Sequence, residues 1–156
     1  GNSEVHEVSL ILYRGGIGLD KGLGAVDSIG ANLGSTTGVT VVTNPTINTF
    51  GSWTEIILST ANDLRGIVVS AQRASASWNN LRVTYQVSVA SAGNELDGII
   101  FTGQQVIQSA NETSVGAVSP FISKNIPKGS RIAIRAQSSL SNIDADLGCI
   151  ISGVRK

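Results

Sequence analysis

The residues of this chain whose types could do chemistry are few and widely spaced. His6 is the sole histidine and lies between Glu4 and Glu7. An imidazole flanked by carboxylates could enter a metal site, but such a site needs three or four converging ligands, and no second histidine or thiolate cluster accompanies it. The residue reads as an exposed histidine on a strand. A Ser-His-Asp triad would need the same His6, and no Gly-x-Ser-x-Gly elbow supports it. Asp144 and Asp146 stand two apart, so they share a face in a strand or could chelate calcium from a loop. The glycine and closing glutamate of an EF-hand loop are missing, which favours a solvated turn before the last strand. As acid and base for glycoside hydrolysis they lack anything to set them across a groove. Cys149 is the one cysteine, so it can form neither an intrachain disulfide nor a thiolate zinc site. Within Leu147-Gly148-Cys149-Ile150-Ile151 it reads as a small buried hydrophobe.

Gly16, Gly18 and Gly22 approach the dinucleotide fingerprint but set the third glycine one residue too far, and neither a helix nor a parallel sheet is expected behind them. Asn111-Glu112-Thr113 matches a glycosylation acceptor in form, with no secretory signal to give it meaning. Trp78-Asn79-Asn80 offers an indole to stack on a pyranose and two amides for its hydroxyls, as a glycan contact needs. The same residues also suit a hairpin turn with the indole folded back over a sheet. No catalytic, metal-binding or cofactor-binding set emerges, so a non-enzymatic module is expected.

Composition narrows the class further. In 156 residues, charged side chains make up 14% and the formal net charge is zero, against ~25% charged in typical soluble domains. A nucleic-acid partner would require a basic excess, which is absent. A surface poor in charge repels its own copies weakly, which favours permanent assembly. No apolar stretch approaches the ~20 residues of a membrane-spanning helix, and the first residues lack the pattern of a signal peptide.

The elements that must position these side chains are strands. Glu4 to Arg14 alternates, with Val8, Leu10 and Leu12 on one face, while Ile11 and Tyr13 make the other face apolar too, so this strand wants cover on both sides. From Gly15 to Gly38 the chain is Gly-rich and shows no period, which predicts an irregular arm. Short strands follow at Thr40 to Thr43, Trp53 to Leu58, Gly66 to Gln72, Arg82 to Ala90, Gly98 to Phe101, Gln104 to Gln108, Val118 to Ile122, Ser130 to Gln137 and Leu147 to Val154. No 3.6-residue stripe persists. Pro127 suits position i+1 and Gly129 position i+3 of a type I turn feeding the strand after it. There Ile132, Ile134 and Ala136 face a core, while Arg131, Arg135 and Gln137 form a cationic outer face. The pattern predicts an all-β fold, an antiparallel β-sandwich of jelly-roll type, with an arm over residues 1–29 and the sandwich over 30–156.

Two runs, Asn48-Thr49-Phe50-Gly51-Ser52-Trp53-Thr54-Glu55-Ile56 and Ser59-Thr60-Ala61-Asn62-Asp63-Leu64-Arg65-Gly66-Ile67, resemble a structural module of tailed-bacteriophage virion proteins. Gly93-Asn94-Glu95, Ile126-Pro127-Lys128-Gly129-Ser130-Arg131-Ile132-Ala133-Ile134-Arg135 and Ala136-Gln137-Ser138-Ser139 continue the same order of motifs. The likeness spans about Gly30 to Val154 and rests on turn and strand signatures. It implies a virion component: a capsid decoration protein, a fibre or a tail-associated module, assembled with other virion proteins and with copies of itself. Threefold symmetry is the arrangement expected by analogy with phage decorations and fibres. In the resembling module the Gly-x-Glu corner accompanies the Arg-x-Ala-x-Arg strand. A carboxylate beside an apolar run also needs a bidentate partner to offset its desolvation, so Glu95 is expected to pair with Arg131 or Arg135, within a subunit or across an interface. The structural positions are then Trp53, Gly93, Glu95, Pro127, Gly129, Arg131 and Arg135. A lectin-like glycan-binding role through Trp78, Asn79 and Asn80 is the alternative.

Overall fold

A computed structural model describes residues 26–29, 38–73, 81–107, 117–140 and 146–156. The expected strand Glu4 to Arg14 with His6, the Gly16 to Gly22 stretch, Trp78 to Asn80, Asn111 to Thr113 and Asp144 lie outside the described residues.

Among the described residues ten strands are present: β1 (Val26–Ile29), β2 (Val39–Val42), β3 (Thr54–Ile57), β4 (Leu64–Arg73), β5 (Leu81–Val89), β6 (Ile99–Ile107), β7 (Ala117–Val118), β8 (Ile122–Ile126), β9 (Ile132–Ser138) and β10 (Asp146–Arg155). One sheet runs β1-β10-β4-β7, the other β3-β9-β5-β6, and every strand pairing is antiparallel. β1 and β2 lie end to end along one edge of β10, at Ile151–Val154 and Asp146–Cys149 respectively. β7 and β8 likewise share the free edge of β4. Counted as rows, the first sheet is therefore first-eighth-third-sixth and the second is second-seventh-fourth-fifth. First pairs with eighth, second with seventh, third with sixth and fourth with fifth, as in one long hairpin rolled up on itself. That is the jelly roll.

The core follows from the period of two. In β5, Val83, Tyr85 and Val87 point inward, and in β9 so do Ile132, Ile134 and Ala136; all six are buried. Ile67, Val69, Leu147, Cys149 and Ile151 meet them from the opposing sheet. Each such aliphatic side chain contributes about 1.5–3 kcal/mol of burial. Cys149 is a free, buried thiol, and loss of water pushes its pKa up to about 12. A parallel bridge between Thr43 and Ala136 ties the two sheets together beside β2.

Four local expectations are corrected. Val26–Ile29 is a strand, although no period marks it: its order comes from the β10 edge it completes, with Ile29 opposite Ile151 and buried. Gly98 to Phe101 and Gln104 to Gln108 are not two strands but the single β6, because Gly103 breaks nothing. It sits opposite Tyr85, whose ring occupies the space a Cβ would need. Val118 to Ile122 is split, because Pro120 has no N–H for the ladder. Ser119 bridges the gap instead, its N–H donating to the Val69 carbonyl (2.8 Å) and its hydroxyl accepting the Val69 N–H (2.9 Å). The fourth concerns the turn before β9. The Ser130 N–H donates to the Pro127 carbonyl, so Pro127 is position i and Gly129 is i+2, with φ +86°. A positive φ at i+2 alone defines a type II turn, not type I.

Candidate functional site

Arg131 and Arg135 bracket Ile132-Ala133-Ile134, so their side chains leave the same face of β9 about 13 Å apart along the strand. That face is the outer surface of the second sheet. It is not a solvated cationic face: both arginines are half-buried, and each guanidinium is engaged by its own set of partners.

At Arg131, Nε donates to Glu55 Oε2 (2.7 Å), and Nη1 donates to Glu95 Oε1 (2.9 Å) and to the Ala90 carbonyl (3.3 Å). Glu55 comes from β3 at the register of Ala133. Glu95 comes from the corner between β5 and β6, which folds back over the sheet. A second type II turn starts that corner: the Asn94 N–H donates to the Ser91 carbonyl, and Gly93 takes φ +88° at i+2. The Gly93 N–H then donates to Glu95 Oε2 (2.9 Å), and the Ser88 hydroxyl donates to the Glu95 carbonyl (2.7 Å). Glu95 is only 7% exposed. Its carboxyl is held below the usual range first by its own backbone N–H, and then by Arg131 and the Gly93 N–H, with burial opposing. Arg131 is pushed up, chiefly by the Glu55 hydrogen bond.

At Arg135, Nε and Nη2 both donate to Gln86 Oε1 (2.9 and 2.7 Å), the residue directly opposite on β5. The guanidinium carbon lies 4.5 Å from the Phe50 ring centroid and 4.6 Å from that of Trp53. Two such ring contacts are worth about 0.5–2 kcal/mol each. Burial pulls the Arg135 pKa down. Phe50 and Trp53 are set in place by the segment ahead of β3, which prolongs that row: the Gly51 N–H donates to the Ala136 carbonyl (2.8 Å) and the Asn48 N–H to the Ser138 carbonyl (2.8 Å).

The turn that delivers Arg131 is held by Thr60 and Asp63. The Thr60 hydroxyl donates to the Pro127 carbonyl (3.0 Å) and accepts the Ser130 N–H (3.1 Å), the Gly129 N–H donates to the Thr60 carbonyl (2.8 Å), and Asp63 Oδ1 accepts the Lys128 N–H (2.8 Å). Trp53, Gly93, Glu95, Pro127, Gly129, Arg131 and Arg135 thus lie on the outer side of the second sheet or in the turns beside it, in two sets, one around Arg131 and one around Arg135. Glu95 has Arg131 as its partner, one of the two expected, through Nη1 and Oε1 rather than the bidentate pair expected, while Arg135 is engaged elsewhere. Sequence reasoning missed Glu55, Gln86 and the pairing role of Phe50. Glu55 and Gln86 were legible only as polar alternates on strands, a signal that many solvated positions share.

Chemically the surface is a clamp. Glu55 and Glu95 are joined through one guanidinium, so a cation bound between them would have to displace Arg131. Among the described residues no group of three or more His, Cys, Asp or Glu side chains converges. No family model matches this chain, and no curated protein sequence matches it either.

Proposed function

We propose that the chain is a structural component of a bacteriophage virion, a capsid decoration, fibre or tail-associated part, which assembles through its N-terminal arm and the faces of its sandwich. One observation carries the assembly half of this reading. The polar side chains of the second sheet hold one another and their loops, while the two most exposed large apolar residues among the described residues adjoin that network. Leu58 (68% exposed) follows the Ile57–Ile132 pair next to Arg131, and Leu96 (65%) follows Glu95. A clamp that fixes loops and presents leucines suits docking against a neighbour better than turnover of a substrate. The low charge of the chain and the resemblance of its motif runs support the virion half. The lectin-like alternative rests on Trp78, Asn79 and Asn80, which lie outside the described residues.

The test is immuno-electron microscopy of intact particles of the encoding phage, with antibody raised to the purified chain. Regular labelling of the particle is expected. Unlabelled particles whose purified proteins lack the chain overturn the reading, and a glycan-array signal abolished by Trp78→Ala would replace it with the lectin-like one.

A further inference from the structure

The four sheet edges are unequally protected. β1 and β2 form one edge in two four-residue pieces, and β7 and β8 form another in pieces of two and five residues separated at Pro120. β3 has four residues, carries Glu55, and shifts register between Glu55 and Ile57. Short pieces, proline, charge and irregular register are the devices that keep an edge from pairing with another chain. β6 has none of the first three, and its one register shift against β5 falls between Phe101 and Ile99, near its start. It runs nine residues, Ile99–Ile107, with no proline and no charged residue, and among the described residues it pairs with β5 alone. Ile99, Ile100 and Phe101 remain half-exposed on it, and Thr102 and Gln104 are exposed.

We propose that this edge accepts residues Glu4 to Arg14 of a second copy of the chain as an added antiparallel strand. The proposal rests on the assembly reading above and names its acceptor. The segment fits by length, eleven residues against nine, and its central run Val8 to Tyr13 is uncharged like β6. With apolar residues on both faces it needs cover on both sides. An added strand would find that between the half-exposed Ile100 and Phe101 and the next copy, with main-chain hydrogen bonds to the edge that no described residue pairs. The donor is another copy because of where the segment joins. It leads into β1, whose row lies on the β2 and β9 side, whereas β6 lies over β8 on the opposite side. The eleven residues from Gly15 to Ala25 span at most about 40 Å when extended, enough to reach a neighbour and also the chain's own β6, so the experiment separates the two donors. Head-to-tail donation of this kind gives a ring where the rotation between copies closes and a filament where it does not.

The experiment uses the full chain, its Thr102→Lys/Gln104→Lys variant and a chain lacking residues 1–14, compared by light scattering and amide hydrogen exchange, with particle labelling scored in parallel. Thr102 and Gln104 are exposed, so the fold should survive, and far-UV circular dichroism checks that it does. The expected result is an oligomer with protected amides throughout Ile99–Ile107, and loss of both the oligomer and the edge protection in either altered chain. An oligomer unaffected by the two lysines overturns the proposal, as does a monomer with a protected edge, which would mean that the chain's own segment fills it. Dissociation by the lysines but not by the deletion also overturns it, in favour of β6 pairing with β6. If particles are labelled while the oligomer ignores β6, this proposal alone fails; unlabelled particles count against the virion reading instead.

Discussion

The Glu95 carboxylate meets the Arg131 guanidinium at 2.9 Å across 36 positions of sequence, and the same guanidinium holds Glu55 at 2.7 Å. One cation therefore staples the corner between β5 and β6 and the edge strand β3 to the start of β9. Removing Arg131 leaves the buried Glu95 carboxylate without its cation, which costs more than the contact contributes when whole, whereas removing Glu95 leaves Arg131 still paired with Glu55.

Glu95→Gln should lower the urea midpoint at pH 7 without changing the fold. The sign of its pH dependence follows from the depressed pKa of this carboxyl. A folded pKa below the ordinary 4.5 adds stability that is fully present above 4.5 and is lost as pH falls through the folded value. The gap between wild type and Glu95→Gln should thus be widest at neutral pH and shrink in acid. Urea titrations at pH 7 and pH 3 check this, and an equal gap at both would show that the charge does not matter.

Arg135 should depend on its neighbours in two distinguishable ways. Gln86→Met keeps the volume but strips an acceptor from a half-buried guanidinium, and should cost about 1–3 kcal/mol. Phe50→Leu keeps an apolar contact and removes the ring, and should cost about 0.5–2 kcal/mol. A double-mutant cycle of Phe50→Leu with Arg135→Met should show coupling, because the ring contact exists only while both are present.

Gly129 and Gly66 should fail for different reasons. At Gly129 a Cβ would meet only the Ser59 hydroxyl oxygen at 3.9 Å, so Gly129→Ala costs only its φ of +86°, about 1–2 kcal/mol, and Gly129→Asn should recover part of that. At Gly66 a Cβ would fall on the Ile122 carbonyl oxygen and the Phe121 ring. Gly66→Ala should therefore cost about 1–3 kcal/mol as overpacking, and Gly66→Asn should be worse, not better. Thermal unfolding of the four variants separates the two mechanisms by the opposite ranking of Ala and Asn.

Cys149, with its pKa raised to about 12 by burial, should not react with a thiol reagent at pH 8 in the native protein, and should react stoichiometrically in urea. Labelling of the native chain at the rate of a free thiol would mean that the strand opens.

The candidate site was legible in part. Arg131 and Arg135 could be put on the outward face of one strand, because alternate residues of a strand take opposite faces. Glu95 could be given a partner because an ionised carboxylate beside Ile99 and Ile100 must find one. Gln86 and Glu55 escaped notice, since nothing in an alternating strand tells a polar residue facing water from one lying under a guanidinium. That difference is made by which strand lies beside it. The type I reading of the Pro127 turn failed for a related reason. Proline favours i+1, but the hydrogen bonds from Thr60 and Asp63 hold the turn one residue later, where glycine can take the positive φ.

By itself, the chain's order of residues determined the all-β class, the inward and outward faces of β5 and β9, and the buried state of Cys149. Period, punctuation and hydrophobicity are local properties, set by neighbours two residues away. Only the tertiary structure decided that β1 is a strand, that β6 is continuous through Gly103, and that Arg131 takes Glu95 while Arg135 lies between Phe50 and Trp53. Each of these depends on a partner tens of residues distant, and the register of the rolled hairpin brings that partner within reach.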